Sequence, residues 1–337
     1  FELFWCDHYS WLKDCGYLLR PWYSLDWIAS WKDNRALVLG AEDRILPPQS
    51  DRYDPWAPVT FHVFREVYMF HKFSSEPLAL DPQNHCIRLG EILHVPDNEE
   101  LDIIVMPLLF DWRIPLFITI GEVVEFFSQI FEGLHFMHSN NIWHGDCKFN
   151  SIMMDASPLL PQGVAVHPQD TEITRDLSHE VRLCNRMENP VKYYWIDFDL
   201  SAEHDPSTGS ALVEPHYGGT QEVPEFAFED QLCDPFAVDV WCLGFMIQTY
   251  FTEKKKGLEF MNTLVADMVH EDPTKRPKMN EVVRQFSEIK AGLSEWKLRS
   301  RIALEGENSV LGMFRSARHW VCQFRFMVRC IAAIPTP

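Results

Sequence analysis

From Gly121 onward the apolar positions recur at helical spacing. Val123, Val124, Phe127, Ile130, Phe131, Leu134 and Met137 form one wide stripe, which predicts a long helix seated in a core. Phe61 to Phe73 repeats the pattern with Phe61, Phe64, Val67, Met69, Phe70 and Phe73, and the acidic Glu66 stands among them. A second, amphipathic helix is expected there. Cys86 to Leu93 and Leu101 to Met106 read as two short strands joined by the polar turn 96–100, and Val191 to Phe198 reads as another strand. From about Cys233 to Leu298 the pattern is helical again, with the run Phe236 to Tyr250. Two proline-rich stretches interrupt these elements. Leu46 to Pro58 holds Pro47, Pro48, Pro55 and Pro58 and predicts a loop or linker, while Ser157 to Pro190 holds Pro158, Pro161, Pro168 and Pro190 and predicts a surface insertion.

Composition narrows the class. The chain has 337 residues, 46% of them hydrophobic, and a net charge of −19 from 30 basic and 49 acidic side chains. That apolar content supports one large domain or two lobes, and disorder would need low hydrophobicity as well as charge. So acidic a chain is a poor partner for nucleic acid, whose phosphates require clustered Lys and Arg, and acidic partners are disfavoured generally. Its longest apolar runs, such as Ile103 to Phe110, fall short of the roughly 18–20 residues of a membrane helix, so no membrane partner is expected. The nine cysteines stand singly, without a C-x-x-C pair, and read as reduced thiols. The start at Phe1 lacks a basic segment and an initiator Met. A fragment of a cytoplasmic or nuclear protein is therefore expected.

The chemistry concentrates in two places. His144-Gly145-Asp146-Cys147-Lys148-Phe149-Asn150-Ser151 follows the long helix directly, and Trp195-Ile196-Asp197-Phe198-Asp199 comes later. Phosphoryl transfer asks little covalent work of a protein. It needs a carboxylate to orient the acceptor hydroxyl, oxygen ligands for Mg²⁺ and a cation near the γ-phosphate. Asp146, Asp197 and Lys148 are of those types. With Pro224-Glu225, then Asp239 to Gly244, then Asp272 to Pro277 in this order, the chain resembles the protein-kinase catalytic domain over roughly residues 60–290. The wording at Asp81 to Cys86, Glu132 to His138, Asp234 to Phe236 and Trp296 to Ile302 is similar to protein-kinase-like proteins abundant in mushroom-forming fungi.

The resemblance implies an α+β, two-lobed fold: an N-terminal extension and degenerate, truncated N-lobe over 1–106, a helical C-lobe over 107–298, and an unassigned tail over 299–337. It implies ATP and Mg²⁺ as ligands and a protein substrate or partner. Asp146 would be the catalytic base, Lys148 the γ-phosphate contact and Asp197 the Mg²⁺ ligand, helped by Asn150 or Ser151. Glu66 would face the ATP-anchoring lysine, and Phe70 would continue a hydrophobic spine through Phe198 and His144. Met106, Pro107 and Leu109 would meet the adenine, the Glu225–Arg276 pair would fix the activation segment, and Asp239 would hold the catalytic loop.

Departures from the family pattern shape the expected function. No G-x-G-x-x-G and no V-A-I-K lysine precede Glu66. The upstream lysines are Lys13 and Lys32, neither in a strand-like run, so the sequence offers Glu66 no evident cation. Gly145 replaces the catalytic-loop arginine, Ser151 the metal-binding asparagine, and Asp199 the glycine after Asp197-Phe198. Thr220 lies two residues too close to Pro224 to inherit the family threonine's contact with the catalytic aspartate. The expectation is a Ser/Thr-type kinase domain that is weakened or a pseudokinase. Two alternatives stand beside it: a small-molecule phosphotransferase of the aminoglycoside or choline kinase type, which shares the H-G-D and I-D-F wording, and a non-catalytic binding scaffold. A skipped exon over Leu46 to Thr60 would leave the same gap. His135, His138 and His144 lack the Cys or carboxylate that would complete a metal set, and Glu253 to Lys256 reads as a solvated charge run.

Overall fold

In a computed structural model, residues 2–19, 21–28, 63–98, 101–162, 164, 166–167, 170–174, 179–215, 220–227 and 231–337 are described. The proline-rich stretch 46–58, Lys32, and the region where a phosphate loop and its lysine would stand therefore lie outside the described residues.

The molecule is mixed, with short strands in the N-terminal part and a larger helical part. Helices α1 (Glu2–Asp7) and α2 (Tyr9–Asp14) lead the chain, and α3 (Val63–Ser74) matches the second stripe except for its first two expected residues, which are not described. Strands β1 (Glu91–His94) and β2 (Asp102–Val105) pair antiparallel. Trp5 and Leu12 of the leading helices cover this hairpin, burying Leu93, Val95 and Ile103 in a small core of their own. The aromatic start thus has a packing role that its sequence did not declare.

The strand expected from Cys86 begins only at Glu91. Ahead of it, the N–H of Trp195 donates to His85 O (2.7 Å) and that of Ile87 to Trp195 O (2.9 Å). Residues 85–87 therefore complete their backbone hydrogen bonds on another strand.

Helix α4 (Ile120–Ser139) is the central element, capped where the Thr119 side chain accepts from the Glu122 N–H. It is buried nearly all round, as a helix in the middle of a core must be. Strands β3 (Ile142–Trp143) and β4 (Ile152–Met154) flank the loop that follows it, and β5 (Val166–His167) and β6 (Asp170–Thr174) form a hairpin. Strand β7 (Tyr193–Trp195) pairs with β4, and β8 (Ala202–Glu203) pairs with β3.

The stretch 157–190, expected at the surface, also feeds the core. Leu159 and Met187 are buried, and Arg186 lies 4.6 Å from the Phe117 ring while donating to Pro115 O and Trp112 O at 2.6 and 2.8 Å. A run of prolines says nothing of a single long side chain that reaches inward.

Helices α5 (Pro235–Ile247), α6 (Asn262–Met268), α7 (Met279–Gly292) and α8 (Glu295–Arg299) follow. Between α5 and α6 lies β9 (Lys255–Lys256), which pairs with β10 (Ala303–Leu304). Lys255, expected on a solvated face, sits 4.1 Å from the Phe251 ring. Burial first, then the charges of Arg186 and Lys254, lower its ammonium pKa to about 8. The tail is ordered as α9 (Ser309–Val328), and beyond it Ala333 is buried against the start of α4. No described helix is long and apolar enough to cross a membrane.

Candidate functional site

The loop between β3 and β4 is held by its backbone. Asp239, wholly buried on α5, accepts from the His144 N–H (2.7 Å), the Gly145 N–H (2.8 Å) and His138 Nε2 (3.0 Å). Burial pushes the Asp239 carboxyl up, but the His138 hydrogen bond and the other donors outweigh it and hold the group below the usual carboxylate range. His144 Nδ1 accepts from the Asp146 N–H (3.2 Å) and its Nε2 faces Ile196 O (3.0 Å). That pairing sets the ring tautomer, with the hydrogen on Nε2. Ser201, also wholly buried, donates to His144 O (2.7 Å).

Gly145 is dictated by this geometry. Its φ is +81°, and a Cβ there would lie 2.5 Å from Leu200 O. An arginine at this position would have no room to leave the backbone, so its absence follows from the close approach of residue 200.

The loop delivers Asp146 into a buried position. Its Oδ2 pairs with Lys148 Nζ and takes a long hydrogen bond from Ser151 Oγ (3.5 Å), while its Oδ1 is buried and accepts from none of the described residues. Asn150 is half-buried on the turn Phe149–Ser151, next to the fully buried Ser151. Asp197 stands close enough to interact. Burial first, then the charge of Asp146, raise its carboxyl above the ordinary range, and His144 and Lys148 only partly offset this. Its φ of +66° places it in the left-handed region, which Asp tolerates better than most residues.

Phe198 joins this loop to α3. Its ring centroid lies 5.1 Å from those of Phe70 and Phe73 and 5.6 Å from that of His144. Glu66 on the same helix is 5% exposed and is not without a partner, which rules out a solvated position. Tyr68 (3.0 Å) and Lys72 (2.5 Å) on α3 both reach Glu203 on β8.

Farther off, Arg276 clasps Glu225 in a two-pronged pair at 2.7 and 2.6 Å, with the arginine side chain 1% exposed. Thr220 hydrogen-bonds the Cys242 thiol, whose pKa burial and the charges of Asp239 and Asp146 drive up. Met106, Pro107 and Leu108 are exposed after β2, and Leu109 is buried. They lead into Phe110, which exchanges two backbone hydrogen bonds with Met154 (2.8 and 2.7 Å).

The structure thus brings Asp146, Lys148, Ser151, Asp197, His144 and Phe198 together, with Asp239 behind the loop. Met106 to Leu109 lead into the Phe110–Met154 pairing on β4, and the Glu225–Arg276 pair is tied to α5 through Ala237 O (3.1 Å). Sequence reasoning missed Ser201 and the bond from His138 to Asp239. His138 stands in the family-like wording ahead of the loop, whereas a lone buried serine leaves no signal.

The donor set suits Mg²⁺. It offers the Asp197 carboxylate with the amide oxygen of Asn150 and the hydroxyl of Ser151 nearby, and a cation would relieve the repulsion between the Asp197 and Asp146 carboxylates. Among the described residues no three His, Cys, Asp or Glu side chains gather to hold a metal by themselves. That is compatible with an ion that takes its remaining ligands from water and phosphate.

The chain matches no protein-family model. It is 25% identical over 185 residues to a Wee1-like protein kinase of Drosophila melanogaster, a match that spans 48% of this chain and 29% of that protein. Over about half of its length, then, the chain is similar to a protein kinase, and it covers less than a third of that relative.

Proposed function

We propose that the chain is a two-lobed, protein-kinase-like domain of Ser/Thr type that transfers phosphate from ATP to a protein hydroxyl weakly. The observation that carries this reading is Asp146: a buried carboxylate with one free oxygen, its other oxygen on Lys148, beside the Asp197 carboxyl. In this role Asp146 Oδ1 orients the acceptor hydroxyl and takes its proton, and Lys148 meets the transferring phosphoryl group. Asp197, with Asn150 or Ser151, would hold Mg²⁺, which when bound neutralises charge on the phosphate oxygens. Phe198 and His144 keep Asp197 and Asp146 in register through their ring contact. Met106, Pro107 and Leu109 would meet the adenine. Weakness follows from the absence in the sequence of a glycine-rich loop and its lysine, since phosphoryl transfer depends on positioning.

Incorporation of phosphate from ATP and Mg²⁺ into protein substrates tests the proposal. Slow incorporation that Asp146→Asn abolishes is expected. An ordinary kinase rate, or incorporation indifferent to Asp146→Asn, would overturn it.

A second reading, a phosphotransferase acting on small alcohols, draws support from Gly145, because the H-G-D wording is enforced here by the Leu200 contact. The buried Arg276–Glu225 pair and the kinase relative favour the first. A screen of peptides against small alcohols separates the two.

A further inference from the structure

Helix α9 presents an apolar seam to solvent. Val310, Phe314, Ala317, Val321, Phe324 and Val328 recur in steps of four and three, all of them exposed. The five larger side chains among them are 54–84% exposed. The opposite face is the docked one, where His319, Gln323 and Phe326 are buried. Trp296 on α8 extends the seam: it is 58% exposed and its ring centroid lies 5.2 Å from that of Trp320 and 6.4 Å from that of Phe324.

The charge beside the seam is of one sign. The helix holds no Asp or Glu, in a chain of net charge −19. Arg318 and Arg325, seven residues apart and so on the same flank, are exposed and have no carboxylate partner among the described residues. The acidic groups nearby are already bridged: Glu307 by Arg301 and Arg315, Glu305 by Lys256, Glu295 by Arg299, Glu188 by Arg329.

We infer that the α9 face docks on an anionic lipid surface, with Phe314 and Phe324 in the acyl boundary and Arg318 and Arg325 among the headgroups. An interfacial helix needs only one apolar face and no spanning length. A second copy of the chain fits less well. Two-stranded coils prefer Ile, Val and Leu on the seam and opposite charges on its flanks; Val310, Val321 and Val328 would suit one, but Phe314 and Phe324 share the seam and its flanks bring arginine without acid. Trp and Phe beside arginine are the side chains that suit a headgroup boundary. The acidic groups beside the helix are the bridged ones just named, and exposed charges farther off than about 8 Å are screened at physiological salt. The inference is independent of the proposed phosphoryl transfer.

Co-sedimentation of the full chain with phosphatidylserine-containing vesicles, against pure phosphatidylcholine vesicles, tests it. Binding to the anionic vesicles alone is expected, weakened by high salt. Arg318→Gln with Arg325→Gln lowers the affinity about tenfold or more, and Phe314→Ser with Phe324→Ser abolishes binding. All four side chains are exposed, and a melting curve matching that of the unaltered chain confirms that each variant is folded. Equal binding to both vesicle types, no binding to either, or binding indifferent to both pairs overturns the inference. So does a phenylalanine-dependent dimer that binds no vesicles, which would make the face an interface between copies.

Discussion

A side chain at residue 145 would have to occupy space that Leu200 O already fills, at a φ of +81°. Gly145→Ala is therefore expected to destabilise the fold by about 2–4 kcal/mol, combining left-handed backbone strain with displacement of the 199–201 segment. Urea unfolding measures this, and a cost under about 0.5 kcal/mol, the range of ordinary surface substitutions, would refute the close approach. Lys255 makes a second case at this scale. Its folded pKa of about 8 lies below the unfolded value near 10.4, so between those limits the unfolded chain binds more protons and stability rises with pH. Below pH 8 both states carry the proton and the penalty is present in full. The Phe251 ring offsets part of it. Lys255→Met should thus gain about 1–2 kcal/mol at pH 7 and flatten the rise towards pH 10; an unchanged pH slope would contradict the burial.

Helix α3 is tied to the rest of the molecule in two ways of unequal weight. Lys72 and Glu203 are 23% and 39% exposed, and such a pair contributes under about 1 kcal/mol. Phe70 is fully buried against Phe198, and Phe70→Ala should cost about 3–5 kcal/mol, several times the cost of Lys72→Met. Comparing the two unfolding midpoints checks which contact anchors the helix. At this level the sequence was partly legible. The stripes of α3 and α4 were visible because helical burial repeats every three to four residues, and Asp146, Asp197, Glu225, Arg276 and Asp239 were visible because they stand in ordered motifs. The strand read from Cys86 took in Cys86 and Ile87, which pair with Trp195 instead, because alternation does not say which neighbour a strand will choose. The seam from Val310 to Val328 was equally present, but a period alone does not say whether a face turns inward. Ser201 and the approach of Leu200 to Gly145 depend on backbone position, which no spacing encodes.

Across the whole molecule, the segment after α9 returns to the start of α4. Arg299, 3% exposed, donates to Ile331 O (2.6 Å), and a Cβ on Gly121 would lie 1.9 Å from Ala333 O. Removing residues 330–337 leaves Arg299 short of an acceptor and uncovers α4, so a loss of about 2–4 kcal/mol is expected in thermal or urea unfolding. A truncated chain as stable as the parent would show that the contact carries no weight. The same return sets a timetable for synthesis. Gly121 leaves the ribosome long before Ala333, and at translation speeds the interval is on the order of ten seconds or more. Throughout that time the N-terminal end of α4 lacks this cover, so the burial of Gly121 beneath Ala333 is a late event in the life of the nascent chain.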